Sequence, residues 1–356
     1  MQFSQKSRQH IESCRFCWMC HHICPIGNAT GLERNTARAR ALGLSLVARG
    51  AIDYSDDVIG NVYECALCRA CVTDCTTGWD PVMFTKEARL GAALDGKLPP
   101  YIMELLQNFQ ATGSIYAVKK ENALPALGAS DTLFFIGEDA RAHGDVGAAI
   151  TLLQKAGEEF TVLQNEPSSG YSLDFLIGAA AETKSAMEAC AKTLSAYKRV
   201  ICYDPADAKV FKREYKEWGI DLQPQIITFT AYLASLIKDG KLAPKKKDIS
   251  FTPQDSTLLA RDLEETEPFR TVLSACGNLR EMHLHGKETV LAGNLIMYTY
   301  MPKVMEAVAK KRWNNAETAN AEVLVTASPA EQYLLSKTKP AGIALMKIEE
   351  VLLQCL

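Results

Sequence analysis

The chain has 356 residues, a formal net charge of -3, and a composition that is 47% hydrophobic and 23% charged. This excludes disordered and fibrous classes, and the length allows two or three domains. The small negative charge gives no basis for nucleic-acid binding, which needs clustered Lys and Arg against phosphates. The one basic run, at 245–247, reads as a solvated linker.

Met1 is followed by polar residues, not by an apolar export segment, and the apolar runs at 133–136 and 295–297 are too short to cross a bilayer. The expectation is a soluble cytoplasmic protein with no direct membrane insertion, any membrane contact coming through a partner.

In chain order, the first 110 or so residues read as short helices around cysteine clusters. Ala39, Leu42 and Leu46 fall on one helical face, Val58, Ile59 and Val62 lead into Cys65, and Ile102, Leu105, Leu106 and Phe109 repeat at helical spacing. A stretch at 113–131 with Gly113, Pro125 and Gly128 reads as a linker. From Thr132 onward, apolar strands are expected at 132–136, 160–163, 200–203, 226–229, 249–252, 323–327 and 343–348. Helices at 146–156, 183–197 and 301–313 alternate with them, which implies an α/β domain with a parallel sheet. The segment at 199–215 resembles that at 322–338 as strand, Pro-containing turn and helix, so two half-domains are expected to meet near 243–247.

Twelve cysteines in a chain without a visible export signal favour metal ligation over disulfides. Eight form two arrays: Cys14, Cys17, Cys20 and Cys24 as C-x2-C-x2-C-x3-C-P, and Cys65, Cys68, Cys71 and Cys75 at the same spacing without the proline. Three cysteines at this spacing wrap one cubane, while the fourth is carried to the other cluster. The expected sets are Cys14, Cys17, Cys20 and Cys75 for one 4Fe-4S cluster, and Cys65, Cys68, Cys71 and Cys24 for a second. Zinc is the competing occupant, but it normally takes two separated C-x2-C pairs. Pro25 is expected to stop the first segment, and Thr76, Thr77 and Gly78 to turn the second. Phe16, Trp18, Ile23 and Leu67 are expected to shield the clusters, and His21 and His22 to be packed or solvated.

Residues 14–81, including the stretch at 29–42, resemble the two-cluster ferredoxin domain of the D-type component of heterodisulfide reductase, of the iron-sulfur component of anaerobic glycerol-3-phosphate dehydrogenase, and of related lactate and glycolate oxidase components. The resemblance extends along the chain. In that family each of two repeats carries a single Cys, then CCG, then C-P-x-C, a set that binds a further iron-sulfur centre. Here the matching positions hold Glu138, then Ser168, Ser169 and Gly170, then Asp204, Pro205, Ala206 and Asp207. In the second repeat they hold Ser256, then Leu291, Ala292 and Gly293, then Ser328, Pro329, Ala330 and Glu331. Such residues do not replace thiolates on soft iron, so no cluster and no thiol chemistry are expected there.

The resemblance implies an α+β multidomain protein: an α-helical two-cluster ferredoxin domain (1–112), a linker (113–131), and a duplicated α/β parallel-sheet CCG-like domain (132–243 and 248–356). Cys190, Cys202 and Cys276 read as small buried hydrophobes and Cys355 as part of a frayed end. Asp204, Asp207, Ser168 and Ser169 read as solvated remnants, and His283 and His285 as exposed strand residues. Gly137, Gly144 and Gly147 do not form a dinucleotide motif.

No catalytic residue is expected in this chain. The function expected is that of an electron-transfer subunit of an oxidoreductase complex, with a flavoprotein dehydrogenase and a second electron carrier as partners. The alternative is a quinone- or disulfide-reducing enzyme acting at the C-terminal domain. A cluster-based regulator would add a nucleic-acid module, for which no basic patch is evident.

Overall fold

The computed structural model describes residues 1–15, 17–117 and 127–356. Phe16, an expected shield, and residues 118–126 of the expected linker, with Pro125, lie outside them. The chain divides into two compact units. One comprises Met1–Ala117, Gly170–Ser185 and Ile296–Val308. The other comprises the described part of 118–169, Ala186–Leu295 and Ala309–Leu356.

The first unit is helical, beginning with Gln5–Ser13, Met19–His22, Pro25–Thr30, Ala37–Ala48, Asp56–Tyr63, Ala70–Thr73, Pro81–Leu94 and Pro100–Thr112. Local chemistry sets the starts of several. Ser4 accepts from the Ser7 N–H, Thr36 from Ala39, and Asp80 from Val82 and Met83 just ahead of Pro81; a short side-chain oxygen satisfies N–H groups the helix leaves open, and proline at the first turn loses none. On Pro81–Leu94, Phe84, Ala88 and Ala92 follow one another at four-residue spacing and are fully buried. The small alanines allow close approach, and the Tyr54 hydroxyl donates to the Ala88 carbonyl at 2.7 Å. Gly178 has φ +59°, and a Cβ there would lie 2.9 Å from the Lys86 carbonyl oxygen, so both conformation and space call for glycine.

The helix expected around Ala39, Leu42 and Leu46 exists, but its buried face is a different one. Leu42 is 38% exposed, whereas Ala37, Arg40, Ala41, Leu44, Ser45 and Val47 are buried. Arg40 is drawn inward by three backbone carbonyls, which a count of apolar residues does not register.

The second unit contains two parallel sheets. Strands β1 (Thr132–Phe135), β2 (Arg199–Cys202) and β3 (Gln225–Thr228) pair in that order, with Phe134 opposite Ile201 and Ile201 opposite Ile227. Strands β4 (Ser250–Gln254), β5 (Asn278–Leu279), β6 (Val323–Thr326) and β7 (Ala344–Lys347) form the second, in the order β5-β4-β6-β7. The helices expected between strands are Gly147–Lys155, Ala181–Leu194 and Pro302–Thr318. Phe134, Ile201, Phe229 and Leu233 share one core with Phe251, Val272, Leu273, Val325 and Leu352. Apolar strand residues buried from both sides, joined by helical crossovers, are what an α/β domain requires.

Three local expectations change. Of the strand expected at 160–163, only a bridge between Thr161 and Leu133 forms. Further on, the Ile136 and Gly137 N–H groups donate to the Glu166 carboxylate at 2.8 and 2.7 Å, so no neighbouring strand can take them. His283 and His285 lie in a turn, with His285 Nδ1 2.8 Å from the Met282 carbonyl; the strand is the short β5 instead. Cys355 is not frayed: it is 2% exposed at the end of Ile348–Cys355, and its thiol donates to the Cys276 carbonyl at 3.6 Å. Among the described residues no helix is long and apolar enough to cross a membrane.

Candidate metal centre

At their described positions the two cysteine arrays share features of local backbone. Trp18 follows Cys17 with φ +71°, and Arg69 follows Cys68 with φ +59°; each opens a single helical turn, Met19–His22 or Ala70–Thr73, that carries the third cysteine. The turns close alike, by His21 N–H to the Trp18 carbonyl at 2.9 Å and Val72 N–H to the Arg69 carbonyl at 3.0 Å. A bulky residue in the left-handed region costs about 1 kcal/mol or more, so the surrounding loop must hold it there. Pro25 both ends the first array and starts Pro25–Thr30. After Cys75, Gly78 turns at φ +69° with its N–H on the Cys75 carbonyl, as the exit required.

The fourth cysteine of each array lies with the other array. Cys14, Cys17, Cys20 and Cys75 line one pocket of about 380 Å³, together with Arg15, Trp18, Met19, Arg38, Thr77 and Trp79. Cys24, Cys65, Cys68 and Cys71 line another of about 330 Å³, with Pro25, Ile26, Arg40 and Val82 among their neighbours. Among the described residues no three Cys, His, Asp or Glu side chains are arranged to hold a single ion. Three cysteines of one array joined by the fourth of the other are the ligand pattern of a two-cubane site, whereas zinc normally takes two separated C-x2-C pairs.

Electrostatics point to the same occupant. Burial, then the Cys14 and Cys17 thiolates and Cys75 beyond them, push the Cys20 thiol up to about 12, with its own backbone N–H working the other way. Burial, then Cys65, Cys68, Cys24 and Cys20, push Cys71 well above the ordinary thiol range. Iron binds thiolates, so loading a cluster offsets the burial and crowding that hold the Cys20 and Cys71 thiols up. Cys20 acts on Cys71 across the arrays, so the two sites are neighbours. The Leu67 N–H lies 3.4 Å from Cys65 Sγ, and Cys75 Sγ is 3.2 Å from Thr77 Oγ1, contacts of the kind that tune cluster sulfur.

Shielding differs from expectation. Trp18 is 48% exposed and carries the Arg38 guanidinium 3.6 Å above its ring, while Ile23 and Leu67 do not line either pocket. Trp79, at 2% exposed, is the shield the motif spacing does not reveal, because it lies outside both arrays. His21 Nε2 sits 2.7 Å from Glu33, and His22 is exposed. Cys17 is exposed, whereas Cys24 and Cys71 are buried.

Ser169, Asp204 and Asp207 are interior, not the solvated remnants expected, while Ser168 is half-buried. Asp204 and Asp207 are 1% and 3% exposed. Ser169 Oγ donates to Asp207 Oδ1, and the Ala206 N–H donates to Asp204 Oδ1 at 2.9 Å. Asp207 Oδ2 has no hydrogen-bond partner among the described residues, and a Cβ on Gly137 (φ +93°) would collide with it. Glu331 accepts from Gln254 Nε2 at 3.1 Å and from the Ala292 N–H at 3.5 Å, while Arg312 donates to the other end of the Gln254 amide. Cys190, Cys202 and Cys276 are buried, and burial pushes each thiol well above its ordinary range, which removes nucleophilic character.

Burial, with Glu138 adding, raises Asp204 to about 7, and burial raises Glu331 to about 8. Both folded values lie above those of the unfolded chain, so the stability they contribute is full below the ordinary carboxylate range and is lost as pH rises through about 7 and 8. Urea unfolding is expected to weaken by about 1.4 kcal/mol between roughly pH 6 and pH 8.5 from Asp204 alone. Asp204→Asn should flatten that slope; an unchanged slope in the variant contradicts the assignment.

Residues 10–79 match a 4Fe-4S dicluster domain, so the N-terminal part of the chain is an iron-sulfur region with 4Fe-4S clusters as its cofactors. Over 330 residues the chain is 25% identical to the probable iron-sulfur-binding oxidoreductase FadF of Bacillus subtilis (strain 168), covering 80% of this chain and 44% of that protein. Over 255 residues it is 27% identical to a probable membrane-anchored ferredoxin of Chromohalobacter salexigens, covering 65% of this chain and 38% of that one. The chain thus spans less than half the length of these curated relatives.

Proposed function

We propose that this chain is an electron-transfer component of an iron-sulfur oxidoreductase, relaying single electrons between a flavoprotein dehydrogenase and a second carrier. The observation that carries the reading is the pair of adjacent four-cysteine pockets, each combining three cysteines of one array with the fourth of the other. In this reading Cys14, Cys17, Cys20 and Cys75 hold one 4Fe-4S cluster and Cys65, Cys68, Cys71 and Cys24 the second. A cubane takes up and releases one electron without bond rearrangement. The chain's own residues fix the thiolates, bury Cys24 and Cys71 and leave Cys17 exposed.

The second unit is proposed to be a duplicated CCG-like body without a cluster of its own, as in a degenerate relative of the D-type component of heterodisulfide reductase. Supporting the duplication, Thr161-β1-β2-β3 and β5-β4-β6-β7 run in the same order. In both repeats the carboxyl at the last ligand position hydrogen-bonds the middle residue of the former CCG set, Asp207 with Ser169 and Glu331 with Ala292. A cytoplasmic location, with any membrane association supplied by a partner, belongs to the same proposal.

Tagged full-length protein purified anaerobically is expected to bring down a flavin-containing protein whose reduced form bleaches the cluster absorbance. Turnover of quinone or disulfide by the isolated chain with a reduced viologen dye would contradict the relay.

A further inference from the structure

One buried guanidinium, Arg40, lines the pocket of Cys24, Cys65, Cys68 and Cys71, a second, Arg89, hydrogen-bonds the Cys65 carbonyl, and among the described residues neither is in ion-pair contact with a carboxylate. Arg40, 3% exposed, lines that pocket; its Nε donates to the Asn61 carbonyl at 3.0 Å and its Nη2 to those of Asn35 and Glu64 at 3.1 and 3.2 Å. Arg89, fully buried, donates to the carbonyls of Phe175 and Cys65 at 2.6 Å and of Val62 at 3.1 Å, and stacks against Tyr63 and Phe175. All these acceptors are neutral backbone oxygens. The Glu64 carboxylate, adjacent to Cys65 in sequence, accepts from Asn35 and Asn61 and pairs with Arg34.

A buried cation with only carbonyl partners is strongly disfavoured unless a fixed negative charge lies close by. Arg40 shares its pocket with Cys24, Cys65, Cys68 and Cys71. The other pocket is different. Its Arg15 is exposed, and its Arg38 is 18% exposed, paired with Glu33 at 2.8 Å and spread over Trp18, so water and a carboxylate offset both charges.

We propose that Arg40 and Arg89 are the buried counter-charges of the cluster between Cys24, Cys65, Cys68 and Cys71, and that they make it the higher-potential site, where electrons entering by Cys17 collect. This rests on the two-cluster reading above. Reduction adds one negative charge to the site, and a fixed cation in a low-dielectric surrounding favours the more negative state. One electron leaves the site of Cys14, Cys17, Cys20 and Cys75 and one arrives at the site of Cys24, Cys65, Cys68 and Cys71, with no proton transferred.

The test is an EPR-monitored redox titration of the full-length holoprotein. Arg40→Gln is expected to lower the higher of the two midpoint potentials and leave the lower one unmoved. Arg40→Lys keeps the charge and should restore the wild-type value, and Arg38→Gln should leave the higher midpoint alone. Two unchanged midpoints in a fully loaded Arg40→Gln protein, or a shift of the lower one only, would overturn the inference. If Arg40→Gln does not load its cluster at Cys24, Cys65, Cys68 and Cys71, Arg40→Lys decides: loading with wild-type potentials supports charge as the requirement, and failure to load overturns it. Iron counts on the wild-type protein report on the two-cluster reading separately.

Discussion

Cys75→Ser is expected to remove the same cluster as Cys14→Ser, although the two residues belong to different arrays. Cys75 lines the pocket of Cys14, Cys17 and Cys20, not the pocket of its neighbours Cys65, Cys68 and Cys71. A serine oxygen is a hard, weakly acidic donor that soft iron-sulfur centres reject. Iron should therefore fall from about 8 to about 4 per chain in either variant. The surviving EPR signal should be the same in both and absent from Cys65→Ser. If Cys75→Ser instead damages the cluster lost in Cys65→Ser, each array binds its own cubane and the cross-over is wrong.

Arg89→Ala is expected to be among the most destabilising single changes in the helical unit. Its loss leaves the carbonyls of Phe175, Val62 and Cys65 buried without a donor and empties the space between the Tyr63 and Phe175 rings. Each unsatisfied buried carbonyl costs about 1–3 kcal/mol, and the lost packing adds to that, so a total of about 4 kcal/mol or more follows. Arg89→Lys should recover only part, because one ammonium cannot reproduce the planar fork. Anaerobic urea unfolding with iron retention as a second readout checks this; a change within about 0.5 kcal/mol would show that the carbonyls find other partners.

The cysteine arrays were legible because ligand spacing is a covalent property of the chain, and so was the strand-helix rhythm from Thr132 onward. Face and partner were less so. Leu42, on the helical face the spacing draws, is exposed, while Arg40 and Arg89, which belong to no motif, are buried, because backbone carbonyls far along the chain decide where a guanidinium lies. Trp79 carries no motif, yet it shields the first pocket. At 160–163 the apolar pattern was right for burial but not for pairing, since the Glu166 carboxylate takes the N–H groups a strand would have used. Asp204 and Asp207 read as polar remnants, whereas the fold encloses them.

Iron and acid-labile sulfide per chain in anaerobically purified full-length protein, with a reductive titration of the same sample, is the most direct measurement. The account predicts about 8 iron and 8 sulfide, and uptake of about two electrons, one per cubane. About 4 iron, zinc in place of iron, or clearly more than 8 iron would contradict it.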